Sequence, residues 1–274
     1  MAEADPPASP PSAEVLDAFS ATGRPEPLSG GRHGTRRVSD IVLEPADISK
    51  QQLTWQAALH ERLRTHDGFR VPEAVRAHDG RLLVNGWYAM TYLQGRHEPG
   101  RWLDIIDVGA RFHEAVAGEP APGFLAERTD PWSIGDRVAW GELAATDVPE
   151  TKHLERLLAL VDPISAPSQL IHGDLTGNVL FDDQRPAILD LSPYVRPATF
   201  ASAIVVADAL VWEGADKTLA RAFDADDRFP QYFLRALIYR IVTDRLFRLD
   251  EPLRPNDADP YAMPVEIAER LAGR

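Results

Sequence analysis

Cysteine is missing from all 274 residues. Its absence excludes a disulfide framework, a thiolate metal site, an iron–sulfur cluster and a cysteine nucleophile. Lysine is nearly missing as well: Lys50, Lys152 and Lys217 are the only ones, and arginine carries the rest of the positive charge. That charge is outweighed, with 29 Lys and Arg against 42 Asp and Glu, a net −13. Nucleic acid and anionic membrane both need a basic face, so neither is expected as a partner. The longest apolar stretch, Phe200 to Trp212, is too short to span a bilayer and contains Asp208. The opening MAEADPPASPPSAEVL has no basic segment followed by an apolar one. No signal peptide is therefore expected, and a cytoplasmic location follows. What is present is ordinary for a folded domain: 44% hydrophobic and 26% charged residues. The length suits one large domain or two smaller lobes.

Residues 1–11 are rich in proline and poor in apolar groups and are expected to be a disordered tail. Val15, Leu16 and Phe19 recur at helical spacing. The stretch LSGGRHGTRRVSDIVLEP reads as two short strands around a glycine turn, followed by a strand through Ile41, Val42 and Leu43. Residues 50–65 carry a helical pattern. Val71–Ala77 and Leu82–Leu93 read as strands split by the turn His78-Asp79-Gly80. Gly95 to Gly100 reads as a connector between lobes. Helices then dominate, at roughly 101–117, 151–161, 199–213 and 230–249, interrupted by a non-helical island from Leu170 to Pro197. The expectation is an α+β protein with an N-terminal antiparallel sheet lobe over 12–94 and a larger helical lobe over 95–274.

The island holds the chemistry. It runs Ile171-His-Gly-Asp-Leu-Thr-Gly-Asn-Val-Leu-Phe181 and then Ala187-Ile-Leu-Asp-Leu191. Two carboxylates and an amide thus sit on loops flanked by short apolar strands. Phosphoryl transfer from ATP uses such groups. Asp174 accepts or orients the hydroxyl proton, Asn178 and Asp190 offer hard oxygen ligands to Mg²⁺, and His172 holds the loop. A metal-dependent hydrolase using His172, Asp174 and Asp190 is a second reading, but no further histidines stand at ligand spacing. Asp208 reads as a buried carboxylate holding the backbone of the His172–Asp174 loop. His113 reads as packing or surface. Trp132, Trp140 and Trp212 read as core or pocket lining. The acidic groups Asp224/Asp226/Asp227 and Asp250/Glu251 suit a solvated face or a cationic substrate.

At these residues the chain resembles the aminoglycoside phosphotransferase family of the protein-kinase-like fold, in the string HGDLTGNVLF with LDLSPYVRP and the helix ending DALVW. The likeness spans roughly 15–250. It implies a two-lobed fold, ATP and Mg²⁺ as cofactors, and a small-molecule acceptor, with a cationic one suggested by the acidic clusters. It implies that Asp174 is the base, that His172 supports it, and that Asn178 and Asp190 bind metal. The glycine loop with Gly30, Gly31, Gly34 and Thr35 approaches the phosphates. Tyr92 and Leu93, in the hinge Thr91–Gln94, meet the adenine, and Glu61 is the helix glutamate.

Two departures stand out. Three residues, Leu175, Thr176 and Gly177, separate Asp174 from Asn178 where the family has four. On the third strand, Glu44 occupies the place of the family's phosphate-binding lysine, and an acid beside triphosphate is repulsive. Three readings of this gap stay open: Lys50 reaches in; an arginine (Arg32, Arg36 or Arg37) supplies the charge; or nucleotide binding is weak or lost and the chain is a binding or regulatory protein.

Overall fold

The computed structural model describes residues 10–28, 34–223, 225–255 and 258–273. Gly30, Gly31 and Arg32, Asp224, and nearly all of the expected tail lie outside the described residues. The chain divides into two compact units: Met1–Arg96 with Leu180–Leu189, and His97–Val179 with Asp190–Arg274.

The first unit opens on helix α1 (Ala13–Ala18), started by Ser12, whose side chain accepts from the Val15 N–H. Strands β1 (Glu26–Pro27), β2 (Arg36–Val38), β3 (Ile41–Pro45), β4 (Ala74–Val75) and β5 (Trp87–Thr91) form one antiparallel sheet in the order β1-β2-β3-β5-β4. Alternation along β3 divides its side chains. Ile41 and Leu43 face a core with Val15, Phe19, Val38, Trp87 and Ala89. Val42 and Glu44 lie opposite Met90 and Tyr88 on the other face, where Tyr88 and Met90 pack with Leu53. Leu53 belongs to helix α2 (Lys50–Leu63), which is capped by Ser49 and buries Leu53, Gln56, Leu59, His60 and Leu63. That spacing is one helical face.

The two expected strands after α2 are shorter than read. Asn85 and Gly86 both have positive φ, 47° and 80°, and Val84 bridges Trp87 across them. This Asn-Gly turn folds the run back on itself, a hairpin signal within what read as one strand. Most of a further small hairpin, β7 (Val179–Leu180) with β8 (Ala187–Ile188), belongs to this unit.

The second unit is helical. It contains α3 (Trp102–Ala115), α4 (Pro131–Ala139), α5 (Leu154–Leu158), α6 (Ala198–Val211), α7 (Phe229–Phe247) and α8 (Ala262–Ala272), with the strand pair β6 (Gln169–His172) and β9 (Pro193–Arg196). Helix α6 is buried along most of its length, from Phe200 to Val211, which is why it reads as a continuous apolar run rather than a stripe. Helix α4 was not expected from periodicity. Asp130 caps it by accepting from Ser133 N–H, and Pro131 fills its first turn, where a missing N–H costs nothing. The expected helix over 151–161 forms only as α5, because His153 at its start adopts a left-handed φ of 68°. Among the described residues no helix is long and apolar enough to cross a membrane.

Candidate active site

His172 ends β6 and is fully buried. Its backbone N–H donates to Nε2 of His113 at 3.1 Å, and its own Nδ1 accepts from the Asp174 N–H at 3.1 Å. The ring therefore turns the chain at Asp174. Phe112 packs edge-to-face with both histidine rings. Burial first, and the electrostatic influence of His172 second, push His113 down to about 3, so it is neutral and its Nε2 is an acceptor. His113 is thus a buried support of the loop, not a surface residue.

Gly173 is required by close packing. A Cβ there would lie 2.5 Å from Cδ2 of the buried Tyr194 ring. Its N–H donates to the Ser192 carbonyl at 2.8 Å, which anchors the loop to the segment carrying Asp190 two residues earlier. Asp190 itself is exposed and stands two residues beyond β8 rather than at its end, with a left-handed φ of 40°. Non-glycine residues held there store strain, a feature concentrated at functional sites. Gly177 supplies a positive φ of 80°, and the Asn178 N–H closes the turn onto the Leu175 carbonyl at 3.0 Å. The Asn178 Nδ2 donates to the Asp174 carbonyl at 2.7 Å, so its ligating capacity resides in Oδ1. The three-residue spacer therefore still closes a hydrogen-bonded turn that joins Asp174 and Asn178.

The Asp174 carboxylate is partly exposed, and its Oδ1 accepts from Nη2 of Arg240 at 2.6 Å. Arg240 also forks onto Asp208, Nε to Oδ1 at 2.7 Å and Nη2 to Oδ2 at 2.6 Å. Asp208 was expected to hold the loop through its backbone; these bonds hold it through Arg240 and the Asp174 side chain. Burial pushes Asp208 up to about 6 against the pull of Arg240. Burial also disfavours the Arg240 charge, but neighbouring groups, Asp208 foremost, override it and hold the guanidinium well above its ordinary value. Arg240 was missed by the sequence reading, since nothing in its local pattern ties α7 to a loop 66 residues away.

In the first unit, Gly34 has a φ of 112° and Thr35 is buried. Arg36 pairs in register with Leu43 and Arg37 with Val42. Arg37, not Arg36, therefore shares the face of Val42 and Glu44. Arg36 donates to the Thr35 carbonyl at 3.1 Å; Arg37 donates to the Ser39 carbonyl at 2.8 Å and lies 3.7 Å over the Tyr92 ring. Glu44 accepts from the Tyr88 hydroxyl at 3.1 Å. Tyr92 N–H continues the sheet ladder onto the Asp40 carbonyl, and Leu93 follows, half-buried. Glu61 lies on the exposed side of α2 beside Arg64, 3.5 Å away. Lys50 begins α2 and is exposed.

A five-stranded antiparallel sheet unit, a helical unit, and a His-Gly-Asp loop closed by Asn define a protein-kinase-like fold. Solved structures share it. An aminoglycoside phosphotransferase from Alicyclobacillus acidocaldarius subsp. acidocaldarius is 15% identical over 97% of this chain and 95% of its own, with a TM-score of 0.58. A microcompartment-associated aminopropanol kinase is 15% identical over 94% of both chains, TM-score 0.59. The amicoumacin kinase hAmiN, solved with AMP-PNP, Ca²⁺ and Ami, is 14% identical over 88% of this chain and 82% of its own, TM-score 0.55. No curated protein matches the chain. Residues 26–195 match the APH model, the phosphotransferase enzyme family, and the chain belongs to that family.

Proposed function

We propose that the chain transfers the γ-phosphoryl group of ATP, with Mg²⁺, to a hydroxyl of a small molecule. The observation that carries this reading is the loop itself: Asp174, partly exposed, is fixed through its N–H by His172, through its carbonyl by Asn178 and through Oδ1 by Arg240. Asp174 orients the acceptor hydroxyl and takes its proton as the new P–O bond forms and the bond from the γ-phosphorus to the bridging oxygen breaks, releasing ADP. The loose transition state of phosphoryl transfer asks for positioning more than basicity, which suits an ion-paired carboxylate.

The donor set fits Mg²⁺. Among the described residues no group of three His, Cys, Asp or Glu is placed to hold an ion. One carboxylate, Asp190, and one amide oxygen, Asn178 Oδ1, would be the hard oxygen ligands that hold the cation beside the nucleotide. Bound Mg²⁺ neutralises charge on the β- and γ-phosphates. The hydrolase reading lacks the ligand cluster it needs among those residues. For nucleotide, we assign Gly34 and Thr35, with Gly30 and Gly31 of the same loop, to the phosphates. The register favours Arg37 over Arg36 as the cation on the Glu44 face. Because Tyr92 N–H is committed to Asp40, Leu93 N–H is the hinge donor for adenine. Glu61, exposed beside Arg64, contributes little to this reading.

One observation favours a second reading, a binding or regulatory protein of the same fold without transfer: the carboxylate of Glu44 on the sheet face that carries Arg37. Titration of Mg-ATP against melting temperature, followed by a transfer assay, separates the two. A rise in melting temperature with transfer supports the enzyme; no rise at millimolar Mg-ATP supports the second reading.

A further inference from the structure

Arg240 lies on α7, beyond the residues matched by the family model. Its side chain is 6% exposed and that of Asp208 3%, whereas that of Asp174 is 39% exposed. The rings of Tyr239 and Trp212 stand 4.8 and 5.6 Å from its guanidinium carbon, and the Tyr261 hydroxyl donates to its backbone carbonyl at 3.2 Å. The fork onto Asp208 already neutralises the buried cation with two charge-assisted bonds. The third bond, to Asp174, is not needed for that. It also draws a second carboxylate toward Asp208, which is unfavourable for Asp208.

We infer that Arg240 is a positioning residue for phosphoryl transfer: locked by Asp208, it ties down Oδ1 of Asp174 so that Oδ2 is presented to the acceptor hydroxyl. The inference rests on the reading of Asp174 as base. The planar guanidinium serves here because it spans two carboxylates in fixed directions, which an ammonium on a flexible stem does not. Asp208 acts on Asp174 through Arg240.

The test uses the full chain and Mg-ATP, with water and a panel of small hydroxyl compounds as phosphoryl acceptors. Arg240→Lys keeps the charge but loses the fork, and is expected to lower turnover roughly tenfold. The double variant Arg240→Met/Asp208→Asn removes the buried cation together with its buried partner. It is expected to melt no lower than Arg240→Lys, because removing a buried ion pair as a unit is frequently neutral. Its turnover is nonetheless expected to fall roughly 100-fold, with the KM for Mg-ATP unchanged. Activity then does not follow stability: the conservative lysine keeps more of the rate without being the more stable variant. A purely structural role makes rate follow melting temperature across both variants. That result, or wild-type turnover in the double variant, overturns the inference and leaves the proposed function standing. Absence of phosphoryl transfer by the wild type to water and to every hydroxyl compound of the panel, with no binding of Mg-ATP, overturns the proposed function, and the inference with it.

Discussion

The backbone N–H of His172 donates to Nε2 of His113, a buried imidazole pushed down to about 3 chiefly by desolvation. Protonation would convert that acceptor into a donor facing a donor. Between about 3 and 6.5 the unfolded chain binds a proton at His113 that the folded chain does not. Stability from this group is therefore present above 6.5 and is lost as pH falls through that window, with a slope of up to about 1.4 kcal/mol per pH unit. His113→Gln presents an amide oxygen to the same N–H. Urea unfolding at several pH values should show a flatter acid decline in the variant, and an unchanged decline would remove His113 from the account.

Gly173 offers a steric prediction. With a Cβ 2.5 Å from the Tyr194 ring, Gly173→Ala should destabilise the fold by about 1–3 kcal/mol, as overpacking does. Gly177→Ala meets nothing within 4 Å and suffers only from its positive φ of 80°, a cost of about 1–2 kcal/mol. Urea midpoints measure both, and the first variant should also disturb Asp174, one residue on.

Glu44 is the test of the nucleotide site. Glu44→Lys reverses the charge on the face shared with Arg37 and should tighten Mg-ATP binding roughly tenfold, read by isothermal titration. Tyr88→Phe removes the hydroxyl that donates to Glu44 and should cost only about 0.5–1.5 kcal/mol of stability. Weaker nucleotide binding in Glu44→Lys would mean that the carboxylate itself serves the ligand.

Periodicity made the frame legible. Alternation over Ile41–Glu44, the helical face of α2 and the apolar run of α6 each report burial directly, and the structure realises them. The loop motif was legible because His172, Asp174 and Asn178 are local: a few residues fix its hydrogen bonds. Two local signals were present but unread, the Asp130-Pro131 start of α4 and the Asn85-Gly86 turn. Arg240 is different in kind. It reaches Asp174 only through the packing of α7 against α4 and α6, and a lone arginine in an apolar helix reads equally well as a residue whose charged tip escapes to solvent. The choice between Arg36 and Arg37 likewise depends on strand register, which sequence alone leaves loose.

The role proposed for Asp174 in phosphoryl transfer from ATP is open to direct measurement. The most direct measurement incubates wild type and Asp174→Asn with γ-labelled Mg-ATP and a panel of small hydroxyl compounds, cationic ones included, and follows label into acceptor. If Asp174 has that role, wild type yields a labelled phosphate ester, and the variant loses about 100-fold to 10,000-fold of the transfer while Mg-ATP affinity stays nearly unchanged. Full transfer by Asp174→Asn, or a wild type that neither transfers label nor binds Mg-ATP at millimolar concentration, would contradict it.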